Sequence, residues 1–226
     1  MIERNVKRLV DQAVSHNVLA EKERPIIEYG LNWAINCFGS LVGFVILGFL
    51  VGFPNLIVIG AVVGGVFRFF SGGAHLDRPL DCFLLSSVVL ILSGYLAKYS
   101  ALLIANLEPL WKAGIASVIL AIGLFFGLRI IDIYAPAANE KRPIVDPNER
   151  QRLKHFSFIF AFLILMSFIF AVFIRLRFDI GMMIMFTFWF QLFSLTPIGF
   201  TVFSGISKYL GKIRREEGNS NEKANS

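Results

Sequence analysis

Six stretches of this chain are too apolar to sit in water, and they dictate what it can become. They cover residues 31–53, 55–67, 83–106, 114–131, 156–174 and 180–207. A helix that crosses a bilayer needs about 20 apolar residues, with about 17 as the lower limit. Five stretches pass. The second is short and passes only by continuing through Arg68 to Phe70. In hydrocarbon every backbone N–H and C=O must be paired within its own segment, so such spans are helices. The expectation is an all-α polytopic membrane protein of about six transmembrane helices. Composition agrees: 56% of the 226 residues are hydrophobic, against about 45–50% for a soluble domain. Residues 1–30 contain no apolar core of the signal-peptide kind, so no signal peptide is expected there.

Charge gives the orientation. With six crossings, the 22 Lys and Arg residues divide into eighteen on one side and four on the other. The basic side holds the N-terminal region, the 68–82 connection, the 129–155 connection and the tail. The positive-inside rule puts that side, and both termini, in the cytoplasm. Five crossings would move the basic 129–155 region and the tail away from the basic N-terminus. Charge therefore argues that the short second stretch spans. The 68–82 stretch then lies at the cytoplasmic membrane face.

Three regions follow: an N-terminal cytoplasmic segment 1–30, a transmembrane domain 31–207 and a cytoplasmic tail 208–226. In the first, Ile2, Val6, Leu9, Val10, Ala13 and Val14 recur at helical spacing, with Arg4, Lys7, Arg8 and Asp11 elsewhere on the wheel. This amphipathic helix lies on the inner leaflet or packs on the protein body. The tail is polar and lacks apolar periodicity from Gly211 onward, so it reads as disordered. There is no internal repeat, which weighs against a transporter built from inverted repeats. The two cysteines, Cys37 and Cys82, fall far short of the four ligands of a structural zinc site. No metal, cofactor or nucleic-acid partner is expected. Cys37 sits inside the first span as a small apolar residue.

The polar stretch FRFFSGGAHLDRPLDC, residues 67–82, interrupts the hydrocarbon pattern. Polar groups at membrane depth are expensive, which makes them candidates for function. His75 and Cys82 have the chemistry of a nucleophilic pair: an imidazole takes the thiol proton and leaves a thiolate. Seven residues of straight helix would hold them about 10.5 Å apart along the axis. Gly72, Gly73 and Pro79 supply the break that allows His75 to fold back over Cys82. Cys82 would then lie in the first turn of the third span, where the helix N-terminus favours negative charge on sulfur. Asp77 orients His75 or is simply solvated. Asp81 is an N-cap or first-turn acid. Arg68 pairs with Asp77 or Asp81, holds a substrate carbonyl, or snorkels to headgroups.

These residues carry a resemblance. Arg68-Phe69-Phe70-Ser71-Gly72-Gly73-Ala74-His75 with Cys82 seven residues on resembles the signature of the accessory gene regulator B (AgrB) family. The stretch 134–144, YAPAANEKRPI, is similar to that family's Ala-Pro-Ala segment followed by a basic residue and Pro-Ile. The stretch 190–197, FQLFSLTP, is similar to its last-span Gln…Thr-Pro pattern. Familiar variants often carry Asp where Ala138 stands here. The resemblance implies an integral-membrane cysteine endopeptidase of Gram-positive bacteria acting on an AgrD-like quorum-sensing peptide precursor. It implies that Cys82 is the nucleophile and His75 the base and acid. It implies release of an acidic tail, and closure of a lactone or thiolactone ring from a thioester on Cys82. It also implies membership of the site for Arg68 and Gly73, and a homodimer.

Two further expectations rest on the residues themselves. Lys141, Arg142, Arg150, Arg152 and Lys154 form a basic 141–154 loop that could hold an acidic peptide tail. The rival class is a small transporter or channel. It would need facing polar residues in several spans, whereas mid-span polar residues here are few: Asn36, Ser40, Ser93, Ser117, Thr187 and Gln191.

Overall fold

The computed structural model describes residues 2–15, 20–137 and 146–224. It is a bundle of helices, and proline sets where many of them start. Five of the eight prolines occupy the first helical position: Pro54, Pro79, Pro109, Pro147 and Pro197. There proline's missing N–H has no intrahelical acceptor to lose, and its φ is already helical. The helices are α1 (Ile2–Ser15), α2 (Arg24–Val51), α3 (Pro54–Ser71), α4 (Pro79–Ile104), α5 (Pro109–Tyr134), α6 (Pro147–Ile169, continued by a wider turn Phe170–Ile174), α7 (Phe178–Leu195) and α8 (Pro197–Ala224).

Six of these are long and apolar enough to cross a membrane, α2 to α7. The second span is real in length: α3 runs 18 residues through Arg68 to Ser71, about 27 Å at 1.5 Å per residue. The last apolar stretch differs from expectation. The sequence reads as one span over 180–207, but α7 ends at Leu195 and α8 sets off separately from Pro197. Thr196 makes the break. Its hydroxyl donates to Phe193 O at 2.8 Å and accepts from Gly199 N at 3.1 Å, an N-cap for α8. The tail also differs: α8 continues as helix through residues 208–224, where the sequence reads as disordered. Lys, Arg and Glu are good helix formers, so a polar segment can extend a helix already nucleated.

α7 is the centre of the bundle. It buries 61% of its span, against 6% for α2, and its most extensive contacts are with α3 and α4. Small residues permit the closest approach. A methyl at Gly64 would lie 3.0 Å from Thr187 Cγ2 and 3.2 Å from Gln191 Nε2. This is packing of the kind that holds helices together in lipid, where apolar burial gives no preference between helices. So the mid-span polar pair Thr187 and Gln191 is buried against α3 rather than gathered around a path. Phe67 meets Phe188 edge-on at 5.3 Å and Phe70 stacks on Phe160 at 4.5 Å, which fixes the last turn of α3 around Arg68.

At the N-terminus, Val6 (1% exposed) and Val10 (3%) of α1 are buried, whereas Leu9 of the same stripe is 57% exposed. The helix packs on α2, and Asp11 pairs with Arg24. The Val6–Val10 side of the helix thus meets the protein body.

Candidate active site

The ends of α3, α5 and α7 meet at one end of the bundle, and the polar stretch lies between them. α3 stops because Gly72 and Gly73 leave helical geometry, at φ +71° and +129°. Other residues rarely adopt such angles. Space demands glycine as well. A Cβ on Gly72 would run into Ala137 O, and one on Gly73 would lie 2.6 Å from Ser194 Oγ.

The 72–78 loop is pinned mostly through backbone. Ala137 N donates to Ser71 O at 2.8 Å, and Ala74 N donates to Ser194 O at 3.0 Å. Gly72 and Ala137 form an isolated parallel bridge. The Arg68 guanidinium reaches down its helix and donates to Ala74 O. From Ala74 to Asp77 burial then alternates from one residue to the next. Ala74 and Leu76 are buried; His75 and Asp77 are exposed.

Arg78 and Pro79 start α4. Arg78 is extended, as a residue before proline tends to be, and its carbonyl accepts from Cys82 N at 3.2 Å. Cys82 therefore occupies the first turn, and the loop folds back onto it. Leu76 N donates to Cys82 Sγ at 3.3 Å, and the thiol lies 3.8 Å from Leu76 O as a possible donor. Arg68 holds Ala74, two residues before the amide that touches the thiol. A sulfur that becomes anionic during attack thus has a backbone N–H and a helix N-terminus near it. His75 is one residue from the amide that touches the thiol. Both cysteines are free.

The remaining site candidates divide. Arg68 engages the backbone of Ala74, and the part-buried carboxylate of Asp81 is taken by Arg214 of α8. Of the alternatives the sequence leaves open for Arg68, pairing with Asp81 gives way to the Arg214–Asp81 contact. Asp77 accepts a hydrogen bond from Ser207, also on α8. Asp81 is a first-turn acid, not the cap, which is Arg78. Lys141 and Arg142 lie outside the described residues, as does Ala138. Arg150, Arg152 and Lys154 stand on α6 and not in a loop. Lys154 pairs with Asp132 of α5 at 2.7 Å, so that charge ties two helices together. Among the described residues, no group of three or more His, Cys, Asp and Glu side chains is placed to hold a metal ion.

Sequence reasoning missed Ser194, Ser207 and Arg214. Ser194 is fully buried and donates to Gln191 O at 2.8 Å. A readable signal existed for α8. Phe200, Phe203, Ser207, Gly211 and Arg214 recur at spacings of three and four, one face of a helix. That face changes from apolar to polar along its length, which hides it from a search for apolar periodicity alone.

The profile of the accessory gene regulator B family matches residues 4–195. An AgrB-like protein of Clostridium perfringens strain SM101 is 29% identical over 172 residues, covering 74% of this chain and 77% of that protein. A second, from Clostridium perfringens strain 13, matches with the same identity and coverage. An AgrB-like protein of Lactiplantibacillus plantarum strain WCFS1 is 25% identical over 158 residues, covering 67% and 72%. No solved structure matches significantly. The matched segment takes in all six apolar spans and the whole 68–82 stretch. The chain therefore belongs to the accessory gene regulator B family, a multi-pass membrane protein tied by that membership to the agr quorum-sensing system.

Proposed function

We propose that this protein is a membrane-embedded cysteine endopeptidase that cleaves an AgrD-like peptide precursor through Cys82 and allows the fragment to cyclise. The observation that carries the reading is the fold-back at Cys82. A thiol in the first turn of α4 accepts the N–H of Leu76, the residue after His75, on a loop that Arg68 holds at Ala74.

The chemistry runs in two acyl transfers. Cys82 Sγ attacks a carbonyl carbon of the precursor while His75 takes the thiol proton. The C–N bond breaks, and His75 delivers that proton to the departing amine, which leaves with the C-terminal tail. The fragment remains as a thioester. An internal Cys or Ser of the fragment then attacks the same carbon, its proton passes through His75 to the sulfur, and the C–S bond breaks. The product is a thiolactone or lactone, and Cys82 is regenerated. Arg68 and Gly73 act as supports, holding the backbone that carries His75. The site works at the cytoplasmic face, with both termini on that side, and the enzyme acts as a homodimer.

Lys141 and Arg142 hold the acidic tail electrostatically. Neutralising both weakens processing more at low salt than at high salt, because exposed charges are screened over about 8–10 Å at physiological ionic strength. An equal loss at both salts would remove that role.

The test of the function is co-expression with a candidate precursor, using wild type, Cys82→Ala and His75→Ala and reading cleavage on a gel. Cleavage is expected to disappear in both variants. Persistent cleavage in Cys82→Ala would overturn the reading.

A further inference from the structure

The family match stops at Leu195, and the helix that closes over the candidate site begins two residues later. Phe190 and Phe193 of α7 pack around Cys82 from within the matched segment, and α8 adds a second wall from beyond it. Phe203 is buried in one apolar cluster with Ala74 and Leu76, and Cys82, Phe200 and Ile206 pack against that cluster. Further along the same face of α8 the contacts turn polar. Ser207 donates to Asp77 in the loop, and Arg214 donates to Asp81 beside the thiol. Ser207 and Arg214 are seven residues apart, two turns, so both point the same way. Asp77 and Asp81 bracket the start of α4. Between the two contacts lies a cavity of about 360 Å³ lined by Asp77, Arg78, Asp81, Ser207, Gly211 and Arg214.

We propose that Ser207 and Arg214 are positioning residues that latch α8 over Cys82, so that the Phe200–Phe203 face keeps water from the acyl-enzyme and cyclisation outruns hydrolysis. This rests on the acyl-enzyme reading above. Two nucleophiles compete for the thioester carbon. If water attacks, oxygen bonds to that carbon, the C–S bond breaks, a proton returns to Cys82 and a linear acid leaves. If the fragment's own Cys or Ser attacks, the same bond breaks, the same proton returns and a ring leaves. Excluding water changes the ratio of these products without changing the first cleavage. The latches suit that task because they are held by side chains at the rim, Arg214 being about 30% exposed and Asp81 about 11%. They can part to admit a peptide and close again.

The experiment has two arms, both in a Cys37→Ser background and in membrane vesicles, so that Cys82 is the only thiol. The first arm measures the rate at which a water-soluble maleimide labels Cys82, and needs no catalytic activity. Arg214→Gln is expected to label roughly fivefold faster than the parent, the effect of losing about one part-buried charged hydrogen bond. Arg214→Lys, which keeps the charge and a donor, is expected to stay near the parent. Ser207→Ala loses the other latch and is expected to rise by about twofold. Equal rates for all four would overturn the latch, as would Arg214→Lys matching Arg214→Gln. The second arm measures the ratio of linear to cyclic fragment by mass spectrometry with the precursor present. The ratio, taken per acyl-enzyme formed and so independent of total cleavage, is expected to rise by a similar factor in Arg214→Gln. Faster labelling with an unchanged ratio would overturn the role in partition. Loss of the acyl-enzyme reading itself would show separately, as cleavage by Cys82→Ala, and leaves the labelling arm to decide whether α8 covers the thiol.

Discussion

The candidate site has a floor and a cover, and they are held by different means. The floor is the 72–78 loop. It is fixed by backbone hydrogen bonds to Ala137 and Ser194, by two glycines with no room for a methyl, and by Arg68 on a backbone carbonyl. The cover is α8, held by an apolar cluster and two side-chain latches. Backbone contacts and glycine angles are all-or-none, because one added carbon displaces the chain. Side-chain latches at a partly exposed rim are worth about 1 kcal/mol and can open. Geometry that must be kept is built from main chain, and geometry that must change is built from side chains.

The largest expected effect comes from breaking the floor. Gly73→Ala puts a Cβ into Ser194 Oγ at a backbone angle a side chain resists. The strain costs about 1–3 kcal/mol, and an ångström of displacement at a reacting group costs about a hundredfold in rate. Cleavage is expected to fall by about a hundredfold or more at equal expression. Adding Ser194→Gly is expected to restore only part, since the angle remains. Full restoration would mean the clash alone matters; none would mean the angle alone does.

Arg68→Lys comes next. An ammonium on a shorter stem cannot reproduce the guanidinium's planar reach to Ala74 O beside Cys82. Cleavage is expected to fall by about tenfold, read as turnover of precursor at fixed enzyme. An unchanged rate would show that any cation serves. The cover variant Arg214→Gln belongs below these, with a several-fold change in labelling and product ratio. Cys37→Ser on the outer face of α2 is expected to change stability by less than about 0.5 kcal/mol and cleavage not at all, checked by melting temperature and turnover. A large loss there would mean that α2 is a contact surface rather than a lipid-facing one.

Much of the floor was legible in the sequence, because its signals are local. Two glycines, a proline and a seven-residue interval say that a helix stops, turns and starts again with Cys82 in its first turn. Six apolar stretches say where the spans run, and charge supplies the argument for the short one. The cover was not legible in the same way. The apolar run 180–207 hides the break at Thr196-Pro197, although a capping threonine before a proline is a helix-start signal in its own right. Ser207–Asp77 and Arg214–Asp81 join residues 130 and 133 apart, and no local pattern encodes such pairs. The clamp of Ser194 on the loop is of the same kind. Asp81 shows the consequence: from its neighbours alone it could be matched with Arg68, and only the path of α8 brings Arg214 to it.

The most direct test of the account is to map the acyl-enzyme. Wild type and Cys37→Ser protein are incubated with precursor, quenched in acid, digested and analysed by mass spectrometry. The peptide containing Cys82 is expected to gain the mass of the precursor fragment less one water, released by hydroxylamine, in both proteins. An adduct on Cys37, or cleavage by Cys82→Ala with no adduct anywhere, would contradict it.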